Sequence, residues 1–245
     1  MKTATIIQAR STSTRFPGKV LAHLGNRNIK TLDLLTQRLS PFIQTIIAIP
    51  EGDQSLIDYC KDNGRLHYYE GDPINVRKRV LDAAHHYRID TIIDITADCP
   101  LIDPYHVKIL RELVESGSYH YASNVFPRSW PDGFDVQVYS TRLLQKAHNI
   151  IPHAPHCGWQ IMNLYKQNEL FHRDFKWFNY PAPPQMKCPK MRLTLDTPED
   201  AIVIGNVIDN LTIGANAIKI INYMQQHPEI QAINKNIRTK HPSEG

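Results

Sequence analysis

The sequence predicts an α/β protein whose mainly parallel sheet carries helices on both faces, with a small irregular lobe. Three observations lead there. Short β-branched runs at 5–7, 45–49 and 91–96 read as buried strands. Stretches with apolar residues at helical spacing separate them, and the connections are short. Strands that alternate with helices in this way build parallel sheets.

In chain order, 5–7 is a strand that breaks into a hydroxyl-rich loop, and Pro17-Gly18 forces a turn. Leu32, Leu35 and Leu39 mark a helix over about 30–39. Thr45 to Ile49 forms a second strand, closed by Pro50. A helix over 53–63 turns Leu56, Ile57 and Cys60 inward, and Gly64 suits its end. After a weaker strand at 66–69, a helix over 75–87 places Val76, Val80, Ala83, Ala84 and Tyr87 on one stripe. In that helix Arg77 and Lys78 read as a solvated face. The strand at 91–96 follows, and the pattern stays regular to about Leu113.

Beyond that point it loosens. Strands are expected at 119–125 and 135–139, around a turn at Trp130-Pro131-Asp132-Gly133, then helices at 140–149 and 156–167 and an aromatic strand at 175–180. Residues 124–190 read as the irregular lobe within a single domain spanning 1–245. Met191 to Leu195 returns to strand. Thr197-Pro198-Glu199-Asp200 starts a helix, with Thr197 as cap and proline at the first position. The stretch 215–237 is expected to be helical, with a polar end after it.

The 245 residues suffice to bury a large core, and 42% hydrophobic with 21% charged residues is ordinary globular composition. A net charge of +4, spread along the chain, suits a small anionic substrate. It excludes the clustered basic stripe of a nucleic-acid binder. Four separated cysteines with no CxxC pair argue against zinc and for reduced thiols. Neither a signal peptide nor a run of ~18 apolar residues is present, so a cytoplasmic protein without membrane association is expected.

Function concentrates first in the loop after the opening strand. Arg10, Arg15 and Lys19, interleaved with Ser11, Thr12, Ser13 and Thr14, suit a polyphosphate at a strand's carboxyl end. A solvated basic turn is the structural alternative, because neither GxxxxGK[ST] nor GxGxxG is present. Asp98 directly follows the strand at 91–96, where it could hold magnesium beside phosphates or simply form a turn before Pro100. Asp196 ends the late strand, where it could face the same crevice or favour the following helix N-terminus. Asp132 reads as a turn residue of Pro-Asp-Gly, whereas Asp135 needs a partner if buried.

Four ordered motifs resemble the cytidylyltransferases that make CMP-activated acidic sugars, the acylneuraminate and KDO enzymes, and most nearly the SpsF-type spore-coat polysaccharide proteins. They are Gln8-Ala9-Arg10 with Ser13-Thr14-Arg15-Phe16-Pro17-Gly18-Lys19, Ile95-Thr96-Ala97-Asp98-Cys99-Pro100-Leu101-Ile102-Asp103, Trp130-Pro131-Asp132-Gly133-Phe134-Asp135-Val136-Gln137, and Leu193-Thr194-Leu195-Asp196-Thr197-Pro198-Glu199-Asp200. The resemblance implies a Rossmann-like three-layer fold of the nucleotide-diphospho-sugar transferase (GT-A-like) type and a homodimer. It implies transfer of CMP from CTP to an anionic acceptor. Ala9, Arg10, Ser13, Arg15, Lys19, Arg79 and Asp98 would then hold the nucleotide, with Arg10, Arg15, Lys19 and Asp98 catalytic. Asp98 and Asp196 would carry Mg2+, and Asp132, Asp135, Gln137 and His156 would face the acceptor.

The chain departs from the family pattern at Ala97, where glycine is usual, at Asn75 for aspartate and at Gln137 for glutamate. These departures favour the alternative of an inactive nucleotide-binding relative. A GT-A-type glycosyltransferase is the other alternative, but no DxD spacing occurs around 94–98. His156 beside Cys157 has the composition of a thiol nucleophile pair, with nothing in the sequence to orient either group.

Overall fold

A computed structural model describes residues 1–39, 43–64, 66–153, 156–167 and 175–239. Parts of the expected lobe (154–155 and 168–174) and the chain beyond 239 lie outside the described residues. The centre of the seven-stranded sheet is β1 (Thr3–Gln8), flanked in parallel by β4 (Thr45–Pro50) and β6 (Thr91–Thr96). β5 (His67–Gly71) extends the sheet in parallel beyond β4. On the other side β8 (Gln137–Ser140) runs antiparallel to β6 and to β7 (Tyr121–Ser123), and β9 (Trp177–Asn179) is parallel to β7. A separate hairpin pairs β2 (His23–Leu24) with β3 (Ile29–Lys30). The irregular stretch therefore supplies two strands of the main sheet.

The twofold alternation of a strand assigns each face. Ile7, Ile47 and Ile93 turn toward α1 (Thr31–Leu39), α2 (Gln54–Asp62) and α4 (Pro104–Glu115). Ile6, Ile46 and Ile92 turn toward α3 (Val76–His86), α5 (Thr141–Ile150) and α6 (Gly158–Gln167). A third core joins Trp130, Phe134, Leu193 and Leu195 to α7 (Pro198–Asn210), α8 (Ala217–Gln226) and α9 (Pro228–Asn234). The caps follow the sequence. Asp53, Asn75 and Ser140 accept a backbone N–H at the starts of α2, α3 and α5, and Thr197 with Asp200 forms a capping box on α7.

Three expectations are corrected. Met191 to Leu195 is extended but joins no ladder, meeting a partner at the single bridge Asp132–Arg192. The stretch 215–237 is two helices, because Pro228 cannot continue the helix before it. Arg77 does not sit on a solvated face: it is fully buried, donating from Nη1 to the carbonyls of Ala147 (2.7 Å) and Ile151 (2.8 Å). Lys78 does face solvent, paired with Asp82. The strands at 66–69, 119–125, 135–139 and 175–180 form where expected, with shorter or shifted ends.

The extended segment is strapped in place from two sides. Leu193 donates to the Asp132 carbonyl (2.7 Å), and Asp132 donates back to Met191 (3.0 Å). From its other edge Leu195 N (2.8 Å) and Thr194 Oγ1 (3.1 Å) both donate to the carbonyl of Asp98. Gly133 makes this approach possible. Its φ is +112°, and a Cβ there would lie 2.4 Å from the Leu193 carbonyl carbon. Gly133→Ala is expected to destabilise the fold by at least about 2 kcal/mol, from backbone strain and overpacking together. Urea unfolding of the variant checks this, and an unchanged midpoint would refute the strap.

Candidate active site

β1 and β6 are parallel neighbours with Gln8 opposite Thr96, so the loops that follow them leave the sheet side by side. The first loop is anchored at Ser11, whose backbone N and Oγ each meet the Asp53 carboxylate at 2.8 Å. Gly18, with φ +70°, closes it through a bond from its N to the Ser11 carbonyl (2.9 Å). Lys19 then opens a single 3-10 turn, and its side chain points back under the loop.

There the Lys19 ammonium meets Asp98 Oδ2 at 3.0 Å and Asp196 Oδ1 at 2.8 Å. The two aspartates thus lie close enough to share one cation, which here is an amine of the chain. Arg15 reaches Asp196 Oδ2 at 2.9 Å, and Arg192 reaches the same oxygen at 2.8 Å. Arg192 is nearly buried and forks onto Asp200, with Nε at 2.8 Å and Nη2 at 2.9 Å. Asp200 is fully buried and also accepts from the backbone N of Asp196 (2.8 Å) and Thr197 (3.0 Å). The Asp196 carboxylate is fixed from both ends.

Above these groups opens a cavity of about 900 Å³. One wall carries Ala9, Arg10, Ser13, Arg15 and Lys19, and the floor carries Asp98 and Asp196. Arg79 enters from α3, nearly buried, donating to the Asp72 carbonyl at 2.7 Å. The opposite wall carries Asp132, Asp135 and His156. Ala97 lines the cavity and donates to the Gln8 carbonyl (3.0 Å). Asn75 lies outside the lining, where its side chain caps α3 and donates to Pro152 O (2.6 Å).

Of the site residues expected from sequence, only Gln137 is absent from this cavity. It lines an adjoining one of about 340 Å³, which shares Gln8, Thr96, Arg128, Asp135 and His156 with the first. Tyr121 donates to Gln137 Oε1 at 2.6 Å, and a Cβ at Gly158 would lie 2.3 Å from that oxygen. Cys157 is buried there, and burial pushes its thiol well above the usual range, which removes it as a nucleophile. Asp94, beneath the same cavity, accepts from Gln8, Tyr139 (2.7 Å) and Gly158 N (3.3 Å).

Sequence reasoning missed two arginines. Arg192 holds Asp196, and Arg128 holds both oxygens of Asp135 at 2.6 Å each. The requirement that a buried Asp135 have a partner was the available signal for Arg128. For Arg192 the signal was the i,i+4 spacing to Asp196 and the further four residues to Asp200, visible only once one knows that the segment turns there.

Charge is unevenly balanced across the site. Burial by itself would raise Asp196, but Lys19, Arg192 and Arg15 outweigh it and hold the carboxyl at about 2. Burial and the neighbouring Asp135 push Asp132 up to about 6, against Arg128 and Arg192. Lys19 is raised despite burial because Asp98 and Asp196 favour its charged form. The two aspartates therefore act on stability with opposite sign. Asp196 contributes about 2 kcal/mol above pH ~4, lost as pH falls toward 2. Asp132 is uncharged in both states below pH ~4, opposes folding increasingly as pH rises to about 6, and opposes it by a constant amount above that. Asp132→Asn is expected to stabilise the protein by about 3 kcal/mol at pH 8 and to leave it nearly unchanged at pH 4. Urea unfolding at the two pH values tests this, and equal stability of variant and wild type at pH 8 would contradict it.

The cytidylyltransferase family profile matches residues 4–153. The spore coat polysaccharide biosynthesis protein SpsF of Bacillus subtilis is 32% identical over 209 residues, 80% of this chain and 81% of that protein. An uncharacterised protein of Methanocaldococcus jannaschii is 28% identical over 246 residues, 98% of this chain and 97% of its own. The solved structure of a cytidylyltransferase from Leptospira borgpetersenii superposes with a TM-score of 0.81 at 28% identity, covering 98% of this chain and all of that one. The Rossmann-like nucleotidyltransferase fold expected from the motifs is therefore the fold observed. The chain belongs to the cytidylyltransferase family.

Proposed function

We propose that this protein transfers CMP from CTP to an acidic sugar, a nonulosonic or octulosonic acid or a similar anionic acceptor, releasing pyrophosphate for surface polysaccharide synthesis. The observation that carries the reading is the convergence of Asp98 and Asp196 on one cation, at the floor of a cavity whose rim holds Arg10 and Arg15. A triphosphate lying along the loop at 9–19 would meet the guanidinium groups of Arg10 and Arg15 and the hydroxyl of Ser13. Those groups offset the charge that accumulates on the departing pyrophosphate. Arg79 lies on the wall beside the α3 N-terminus, on the side left for the nucleoside.

The donor set suits magnesium. Two carboxylates that already share a cation match an ion that keeps water and substrate oxygens as its other ligands. Asp98 and Asp196 would hold Mg2+, which when bound supplies Lewis-acid polarisation of the α-phosphate. Lys19 would then be released from the carboxylates to the phosphates. Arg192 and Asp200 keep Asp196 aimed throughout, and the bonds from Leu195 and Thr194 keep Asp98 beside it. Asp132, Asp135, Gln137 and His156 form the acceptor side, from which a sugar hydroxyl would attack in line. No covalent enzyme intermediate is needed.

The test is pyrophosphate release from each nucleoside triphosphate in turn, with and without magnesium, across a set of acidic sugars. CTP-specific, acid-dependent release is the expected result. Turnover of a nucleotide sugar instead would favour glycosyl transfer. Asp98→Ala is expected to abolish release while circular dichroism stays unchanged, and undiminished turnover would exclude the metal role. Lys19→Ala is expected to weaken CTP binding by about 1.5–3 kcal/mol, measured by calorimetry.

A further inference from the structure

Arg128 stands on the wall between the two cavities and lines both. In the smaller one it is the only arginine or lysine among the described lining residues, facing Asp94 and Asp135 with Gln8 and Gln137 beside them. Its Nη1 and Nη2 each meet a different oxygen of Asp135 at 2.6 Å, the parallel fork that guanidinium makes with any carboxylate. Its Nη1 also points toward Asp132 Oδ1 at 3.5 Å. The pair is not sealed in the core: the Arg128 side chain is 32% exposed and that of Asp135 25%, both toward cavity space. Phe126 and Trp159 form apolar walls beside them, suited to the C–H face of a sugar ring. About 340 Å³ is room for the part of an acceptor that extends beyond its reacting hydroxyl.

We propose that Arg128 is the receptor for the acceptor's carboxylate, and that Asp135 is an internal carboxylate occupying that receptor until an acidic sugar displaces it. This rests on the cytidylyltransferase reading given above. Exchange of one carboxylate for another conserves both charge and hydrogen bonds at Arg128. It also frees Asp135, whose oxygens are otherwise both engaged, to accept from sugar hydroxyls. A neutral sugar offers no such exchange. To enter, it would have to separate Arg128 from Asp135, taking from Asp135 its paired guanidinium and leaving Arg128 with the longer contact to Asp132 at 3.5 Å. Selection for an acid thus arises from repulsion of neutral sugars as much as from attraction of the anion.

The experiment compares N-acetylneuraminic acid and 3-deoxy-octulosonic acid with their C1 amides, reading pyrophosphate release from CTP with magnesium. Wild-type protein is expected to favour acid over amide by at least about tenfold in kcat/KM. The charge-balanced double variant Arg128→Gln/Asp135→Asn is expected to lose that preference with KM for CTP unchanged. Asp135→Asn by itself, with the internal competitor removed, is expected to lower KM for the acid. A double variant that keeps the wild-type preference overturns the assignment of Arg128, as does wild-type protein that uses amide and acid equally. Wild-type protein that binds CTP yet releases no pyrophosphate with either acid also overturns it, and leaves the nucleotide site standing. Failure to bind CTP would overturn both readings together.

Discussion

A single ammonium group, that of Lys19, ties together three segments that are remote in the chain. Asp98 lies 79 residues from it and Asp196 lies 177. Two carboxylates at this separation repel, and burial makes the repulsion worse, so their approach needs a cation between them. The amine supplies one in the protein alone. The same requirement is what makes the place attractive to a hard divalent ion. A site that must hold positive charge to be stable is already arranged for the metal and the phosphates proposed to use it.

The rest of the local structure serves that juxtaposition. The segment from Met191 to Leu195 has no ladder of its own and is held between the Asp132 backbone on one side and the Asp98 carbonyl on the other. Without a side chain at Gly133 it can lie close enough for both sets of bonds. Arg192 then carries the register through to Asp196 and Asp200, and the capping box of α7 fixes the turn between them. Stability is surrendered in the process: Asp132 sits among carboxylates with its own raised to about 6. Such unfavourable placement is common where function sets the arrangement.

The two connected cavities divide the chemistry by charge. The larger is cationic along the loop at 9–19 and anionic on its floor, the charge pattern that the proposed phosphate chain and metal would use. The smaller is lined by carboxylates, amides and aromatic rings around Arg128. The switch from parallel strands to the antiparallel β8 next to β6 creates this second space. It directs Gln137 and the segment before it across the end of β6 instead of away from it. No described helix is long and apolar enough to cross a membrane.

The sequence by itself determined whatever depends on short-range pattern. Alternating β-branched runs and amphipathic helices set the sheet and its two helical layers, and cap residues such as Asp53, Asn75, Ser140 and Thr197 marked where helices begin. The motif residues from Arg10 to Lys19, with Asp98 and Asp196, were legible because their types and order are distinctive. Tertiary structure decided what depends on long-range pairing. Arg77 looked like a solvated charge until the carbonyls ending α5 covered it, and Met191 to Leu195 had strand composition but no neighbouring strand to pair with. Arg128 and Arg192 join the site only through the carboxylates they meet. A charge in a sequence carries no record of its partner; only the folded chain brings the two within hydrogen-bond distance.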